Sequence, residues 1–143
     1  MTELDAGLVR RKLAVIVRNL ADLAAVEGLT LEEYRRDRFR QKGVERLLQE
    51  TVEAAVDMNL HVLRIRGGDV PTDYFTSFAA LGRQGVIPAA LADLLAPSAG
   101  LRNRLVHQYD AIDDALVLQA MGGARRLFTA YVDAVEQFVA AEE

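Results

Sequence analysis

Apolar residues at Val9, Leu13, Ile16, Leu20 and Leu23 step along the chain by four, three, four and three. That rhythm keeps side chains on one face of a helix turning about 100° per residue. A strand, whose faces alternate at every residue, cannot bury it. A broader apolar face follows at Val44, Leu47, Leu48, Val52, Ala55, Val56, Leu60, Val62 and Leu63. Such stripes must be covered by other elements, which commits the chain to helix-on-helix packing. Composition agrees. Of 143 residues only 3 are proline, 51% are apolar and 27% are charged, and helix formers dominate. The expected fold is all-α: an up-and-down four-helix-type bundle with additional short helices, residues 1–143 forming one domain with its own core.

Punctuation divides the pattern. A first helix is expected from Leu4 to about Glu27, stopped by Gly28. Thr30 and Glu33 read as a capping box opening a short helix to about Gln41, with a break or bend at Gly43. The second long helix should run from Val44 to Ile65, and Gly67–Pro71 should be a loop. Its two glycines lack the downstream Gly-Lys-Ser/Thr of a phosphate-binding loop. Short helices are expected around Tyr74–Leu81, closing before Gly85, and after Ile87-Pro88, with Leu91, Leu94 and Leu95 facing inward. A helix from about Ser98 to His107 follows. Asp113 or Asp114 should cap a last helix reaching about Ala141, with Leu116, Ala120, Leu127, Tyr131, Val135 and Phe138 on its core side and a possible kink at Gly122-Gly123.

Several function classes are disfavoured. The absence of cysteine excludes disulfides and thiolate metal sites and fits a reducing compartment. The charged N-terminal stretch lacks the apolar run of a signal peptide, and no segment approaches the ~20 apolar residues of a membrane span, so the cytoplasm is the expected location. A net charge of −4 disfavours sequence-blind coating of nucleic acid. It hides a basic cluster, Arg35, Arg36, Arg38, Arg40, Lys42 and Arg46, which reads as a solvated face, an RNA track or a dock for an acidic partner.

Two groupings could carry chemistry. Glu53, Asp57 and His61 recur every four residues and so stack along one helix edge. They could grip a metal, but a polar seam pairing with arginines of a neighbouring helix is the plainer reading, and no metal is expected. The other grouping is Arg102-Asn103-Arg104-Leu105-Val106-His107-Gln108-Tyr109. It sets a permanent cation, an amide, an imidazole and a phenol close together. Guanidinium matches phosphate oxygens, and imidazole both takes and gives a proton near neutrality. At about 100° per residue, Asn103 and His107 lie about 40° apart, whereas Arg102 sits about 140° from His107. Leu101 and Leu105 should therefore anchor the helix while Asn103, Arg104 and His107 stand in the open. A merely exposed Arg and His complementing a helix C-terminus is the bland alternative.

The Arg102-x4-His107-x-Tyr109 pattern resembles the signature of HEPN-domain ribonucleases and, more narrowly, of the HepT-like toxins of HepT/MntA toxin–antitoxin systems. The likeness extends to Glu53-Ala54-Ala55-Val56-Asp57-Met58, to Asp73–Leu81 with Gly85-Val86-Ile87, and to Asp110-Ala111-Ile112-Asp113, in order over about residues 31–138. The resemblance implies a metal-independent endoribonuclease without cofactor, active as a homodimer whose motif helices meet at a cleft. Catalysis would be attack of a ribose 2′-hydroxyl on the adjacent phosphate. His107 would act as general base or acid, Arg102 would neutralise phosphoryl charge, and Asn103 would orient the substrate or the histidine. Tyr109 would bind RNA or be adenylylated by an MntA-like nucleotidyltransferase antitoxin, and Arg104 would touch RNA. Arg102 reaches the open face by curling round or by serving the facing protomer; alternatively it pairs with Glu53 or Asp57 and organises the site. A catalytically silent HEPN-type module that binds nucleotides or a partner, or a plain helical scaffold, remains as another class.

Overall fold

All five residues of the first stripe, Val9, Leu13, Ile16, Leu20 and Leu23, are buried on one face of α1 (Ala6–Ala24). A computed structural model of the chain describes residues 3–142, which form seven helices; among the described residues there is no strand. The others are α2 (Leu31–Arg35), α3 (Arg38–Arg66), α4 (Tyr74–Arg83), α5 (Ala89–Leu95), α6 (Pro97–His107) and α7 (Asp114–Glu142). The long helices α1, α3 and α7 pack on one another; α6 lies against α3 and α4, and α5 bridges α4, α6 and α7. This is the expected helical bundle with short additional helices. No described helix is long and apolar enough to cross a membrane.

Local chemistry sets the boundaries. Thr30 and Glu33 form the reciprocal capping box, the Glu33 amide donating to Thr30 Oγ1 at 3.1 Å and the Thr30 amide to Glu33 Oε1 at 3.0 Å. The helix it opens stops at Arg35, not near Gln41. Asp37 accepts a hydrogen bond from the Arg40 amide at 3.0 Å and so caps a new helix, which begins at Arg38 and runs straight through Gly43. The cap outweighs the glycine, whose mid-helix cost relative to alanine is only ~1 kcal/mol. The helix ends where Gly67 adopts φ 78°, the left-handed conformation glycine takes without strain. Asp113, rather than Asp114, caps α7, accepting from the amides of Ala115 and Leu116. Residues 122 and 123 are helical, so α7 crosses the Gly-Gly pair unbroken.

The inward stripe of α7 is Val117, Met121, Ala124, Phe128, Tyr131 and Val135. Of the residues expected there, Leu116 is exposed and Ala120, Leu127 and Phe138 are only partly covered. On so apolar a helix two adjacent stripes both satisfy the spacing, and packing against α1, with α5, α2 and α3, selects between them. Leu94 likewise turns outward, 58% exposed, while Leu95 is buried. These displaced leucines border an apolar groove between α3, α6 and α7 that Arg104 also lines.

A buried polar chain ties α7, α3 and α4 together. The Tyr131 hydroxyl donates to Asn59 Oδ1 at 2.6 Å and lies 3.0 Å from the Ala55 carbonyl. Asn59 Nδ2 donates to Ser77 Oγ at 3.1 Å, and Ser77 donates to the Tyr74 carbonyl at 2.8 Å. Each group is satisfied by the next, as burial away from water requires. The chain ends on the backbone of Tyr74, whose ring belongs to the site below.

Candidate active site

Pro97 starts α6, where its missing N–H would have had no helical partner. Ala99, Leu101 and Leu105 are buried, which leaves Asn103, Arg104 and His107 exposed. The open face is thus the one the helical angles require. His107 is the last residue of the helix, and the Gln108 amide closes the turn on the Arg104 carbonyl at 2.9 Å. Both basic side chains of this last turn sit at the negative end of the helix dipole, a favourable placement.

Arg102 points to the other side, into a pocket made by three helices. Its Nη2 lies 3.1 Å from Glu53 Oε2 on α3, and its Nη1 donates to Asn103 Oδ1 at 3.2 Å. The guanidinium carbon stands 4.6 Å above the ring of Tyr74, the first residue of α4, a cation–π stack. Gln49 Nε2 donates to the other oxygen of Glu53 at 3.2 Å. The Arg102 side chain is 17% exposed and that of Glu53 29%. The guanidinium is therefore held rigidly beside the open face rather than lying on it. With its carbonyl oxygen turned toward Arg102, the Asn103 amide is left with its N–H donors facing outward. One face consequently offers a neutral amide donor and an imidazole four residues apart, backed by a fixed cation.

The polar seam of α3 is divided among three neighbours. Glu53 takes Arg102; Asp57 pairs with Lys12 of α1 at 2.7 Å; His61 Nε2 accepts the Asp5 amide at 2.9 Å. The choice between Glu53 and Asp57 as partner of Arg102 thus falls to Glu53. Asp57 and His61 fasten α1 to α3 and are not brought to the motif helix. Among the described residues no three His, Asp or Glu side chains converge as a metal-holding group.

Tyr109 lies in the turn between α6 and α7, 72% exposed. Tyr74 and Gln49 were not marked by the sequence pattern. Gln49 stands one turn before Glu53, so its contact was there to be found. Nothing local marks Tyr74 as the base of a stack with Arg102. Asp73 caps α4 through the Thr76 amide and hydroxyl, at 2.7 and 2.8 Å. Those bonds hold its carboxyl below the ordinary 3.8 and fix where α4, and with it Tyr74, begins.

This arrangement, Asn and His exposed at the end of a short helix with the preceding Arg pinned by a Glu of the neighbouring helix, is built from the Arg102-x4-His107 pattern that resembles the signature of HEPN-domain ribonucleases. Residues 15–135 match the family model described as ribonuclease HepT-like, and the chain belongs to that family. It is 36% identical over 140 residues to the tRNA nuclease HepT of Aphanizomenon flos-aquae, covering 97% of this chain and 95% of that one. It is 26% identical over 129 residues to the mRNA nuclease HepT of Shewanella oneidensis, covering 90% and 96%. Among solved structures it resembles a tri-AMPylated Shewanella oneidensis HEPN toxin in complex with MNT antitoxin. That match has a TM-score of 0.83 at 25% identity, over 94% of this chain and 99% of that one.

Proposed function

We propose that this chain is a metal-independent endoribonuclease toxin, a single HEPN domain that works as a homodimer in the cytoplasm and is silenced by an MntA-like nucleotidyltransferase antitoxin. One observation carries the reading: Asn103 and His107 share the open face of α6 while Glu53 and Tyr74 clamp Arg102 beside them. The nuclease names of the relatives support it.

His107 takes the proton of a ribose 2′-hydroxyl, and the oxygen attacks the adjacent phosphorus. A bond from O2′ to phosphorus forms, the bond to O5′ breaks, and O5′ receives a proton. The products are a 2′,3′-cyclic phosphate and a free 5′-hydroxyl. Asn103 donates to a phosphoryl oxygen, and the guanidinium of Arg102 adds positive potential where charge develops. Arg104 contacts the RNA backbone. A base and an acid are both needed, and each chain brings one His107, so a second copy supplies the other.

Tyr109 is the residue the antitoxin modifies: its oxygen attacks the α-phosphorus of ATP, giving tyrosyl-AMP and pyrophosphate. The exposure of Tyr109 beside His107 supports this, as does the AMPylated state of the Shewanella toxin. An AMP group there sets a bulky anion at the mouth of an anion-binding site and repels RNA.

The test compares wild type, His107→Ala and Tyr109→Phe on RNA in EDTA, each with and without the nucleotidyltransferase and ATP. Wild type and Tyr109→Phe should cut and His107→Ala should not. Wild type and His107→Ala, which both keep Tyr109, should gain AMP mass, wild type losing its activity as it does, whereas Tyr109→Phe should gain none and go on cutting. Equal RNA survival with wild type and His107→Ala would leave a catalytically silent binding module instead.

A further inference from the structure

Phe39, the second residue of α3, is 91% exposed and is the only exposed large hydrophobic side chain between Val17 and Val70. One turn on, at the position a helix sets beside it, stands Gly43, and a Cβ built there meets nothing within 4 Å. An aromatic ring left in water and a glycine inside a helix are both choices that stability disfavours. Falling together on one face, they leave a bare ring with an open floor beside it. Local rules broken in concert mark function rather than fold.

The surroundings are cationic. Arg38, the residue before Phe39, is exposed and makes no ion pair among the described residues. Arg36 and Arg46 hold only exposed pairs four residues away, with Glu32 and Glu50. Such pairs are weak and yield readily to phosphate. Arg40 differs: it is half-buried and bonds the Glu33 carbonyl, so it serves the α2–α3 corner. Arg35 lies 3.3 Å from Asp114, the first residue of α7. The corner is thereby fastened to the far end of the turn that carries Tyr109, and a link from 107 to 114 spans at most ~25 Å.

We propose that Phe39, with Arg36, Arg38 and Arg46, is a single-stranded RNA platform: a base stacks on the ring and the guanidiniums take the flanking phosphates. A solitary aromatic among cations is how single strands are held without base readout. A protein-binding face is built around an apolar core, and no second exposed large hydrophobic residue stands between Val17 and Val70 to extend one from Phe39. The platform rests on the nuclease reading for its place along the substrate, extending the strand away from His107.

The probe is a fluorescein-labelled 2′-O-methyl oligouridylate of about 12 nucleotides, within the range of single-strand sites and unable to be cut. Its anisotropy is read with the full chain. Phe39→Ala should weaken binding about 5- to 150-fold, the range of one lost base stack, with thermal unfolding unchanged. Phe39→Tyr should restore most of the affinity, and Arg38→Ala should flatten the salt dependence by about 0.7 in log–log slope. Phe39→Ala binding within about twofold of wild type would overturn the platform. So would loss of nucleotidyltransferase binding by Phe39→Ala with RNA affinity intact, which would make the patch a protein dock. Cleavable RNA run alongside separates the two readings. A wild type that binds through Phe39 without cutting refutes only the nuclease; one that cuts, with Phe39→Ala its equal in binding and rate, refutes only the platform.

Discussion

Replacing Glu53 by glutamine keeps the side chain's shape and removes its charge, leaving the Arg102 guanidinium with Asn103 Oδ1 and the Tyr74 ring. The size of the loss follows from burial. Exposed ion pairs contribute ~0–1 kcal/mol, and breaking a fully buried one costs ~3–5 kcal/mol. At 17% and 29% exposure, with 3.1 Å between the charged atoms, this pair lies between those limits. Arg102 Nε is already buried without a partner, so the guanidinium has little to fall back on. A double-mutant cycle of Glu53→Gln and Arg102→Met, by reversible urea unfolding, should give a coupling of ~1–3 kcal/mol. The methionine keeps an apolar stem over Tyr74 and so isolates the charge. If the clamp also aims Asn103, then ~1–2 kcal/mol of lost orientation lowers kcat/KM for RNA about 5- to 30-fold in Glu53→Gln. A coupling below ~0.5 kcal/mol, the level of a solvated pair, would refute the clamp.

Three further outcomes follow from the packing. Tyr131→Phe strips Asn59 Oδ1 of its buried donor and should cost ~1–3 kcal/mol, read as a drop of ~2–4 °C in Tm per kcal/mol by calorimetry. Gly82→Ala sets a Cβ 2.7 Å from the Ala92 Cβ where α4 meets α5, and overpacking of that kind should destabilise by ~1–3 kcal/mol in urea titration. The carboxyls of Asp5 and Asp73 are held below the ordinary 3.8, each first by a backbone amide of its own helix cap. Their stabilisation is therefore complete above that value and lost as pH falls through the lowered ones, so Tm should decline below about pH 4. Asp73→Asn, which retains a cap, should blunt that decline.

What was legible in the chain was whatever depends on near neighbours. The α1 stripe, the Thr30–Glu33 box and the open face of α6 follow from spacing alone, and all three are as the spacing requires. Asp37 escaped notice as a cap because the arginines around it read as one continuous basic helix; a single carboxylate divides that run between α2 and α3. On α7 Tyr131 and Val135 are buried as expected, but Val117, Met121 and Phe128 take the places expected of Leu116, Ala120 and Leu127, because both candidate faces are apolar and only packing against other helices chooses between them. The Glu53 end of the Arg102 clamp was one of several options left by helical angles, beside Asp57, the open face and the facing protomer. Its Tyr74 floor depends on how α4 settles over α3, which the buried Tyr131–Asn59–Ser77 chain decides across long sequence separations.

The chemical identity of the cut RNA end bears most directly on the proposed catalysis. If His107 and Arg102 process the phosphodiester through the 2′-oxygen, mass spectrometry of RNA treated in EDTA shows 2′,3′-cyclic phosphate ends with wild type and none with His107→Ala. Ends bearing 3′-hydroxyl and 5′-phosphate, or cleavage that survives His107→Ala, would contradict it.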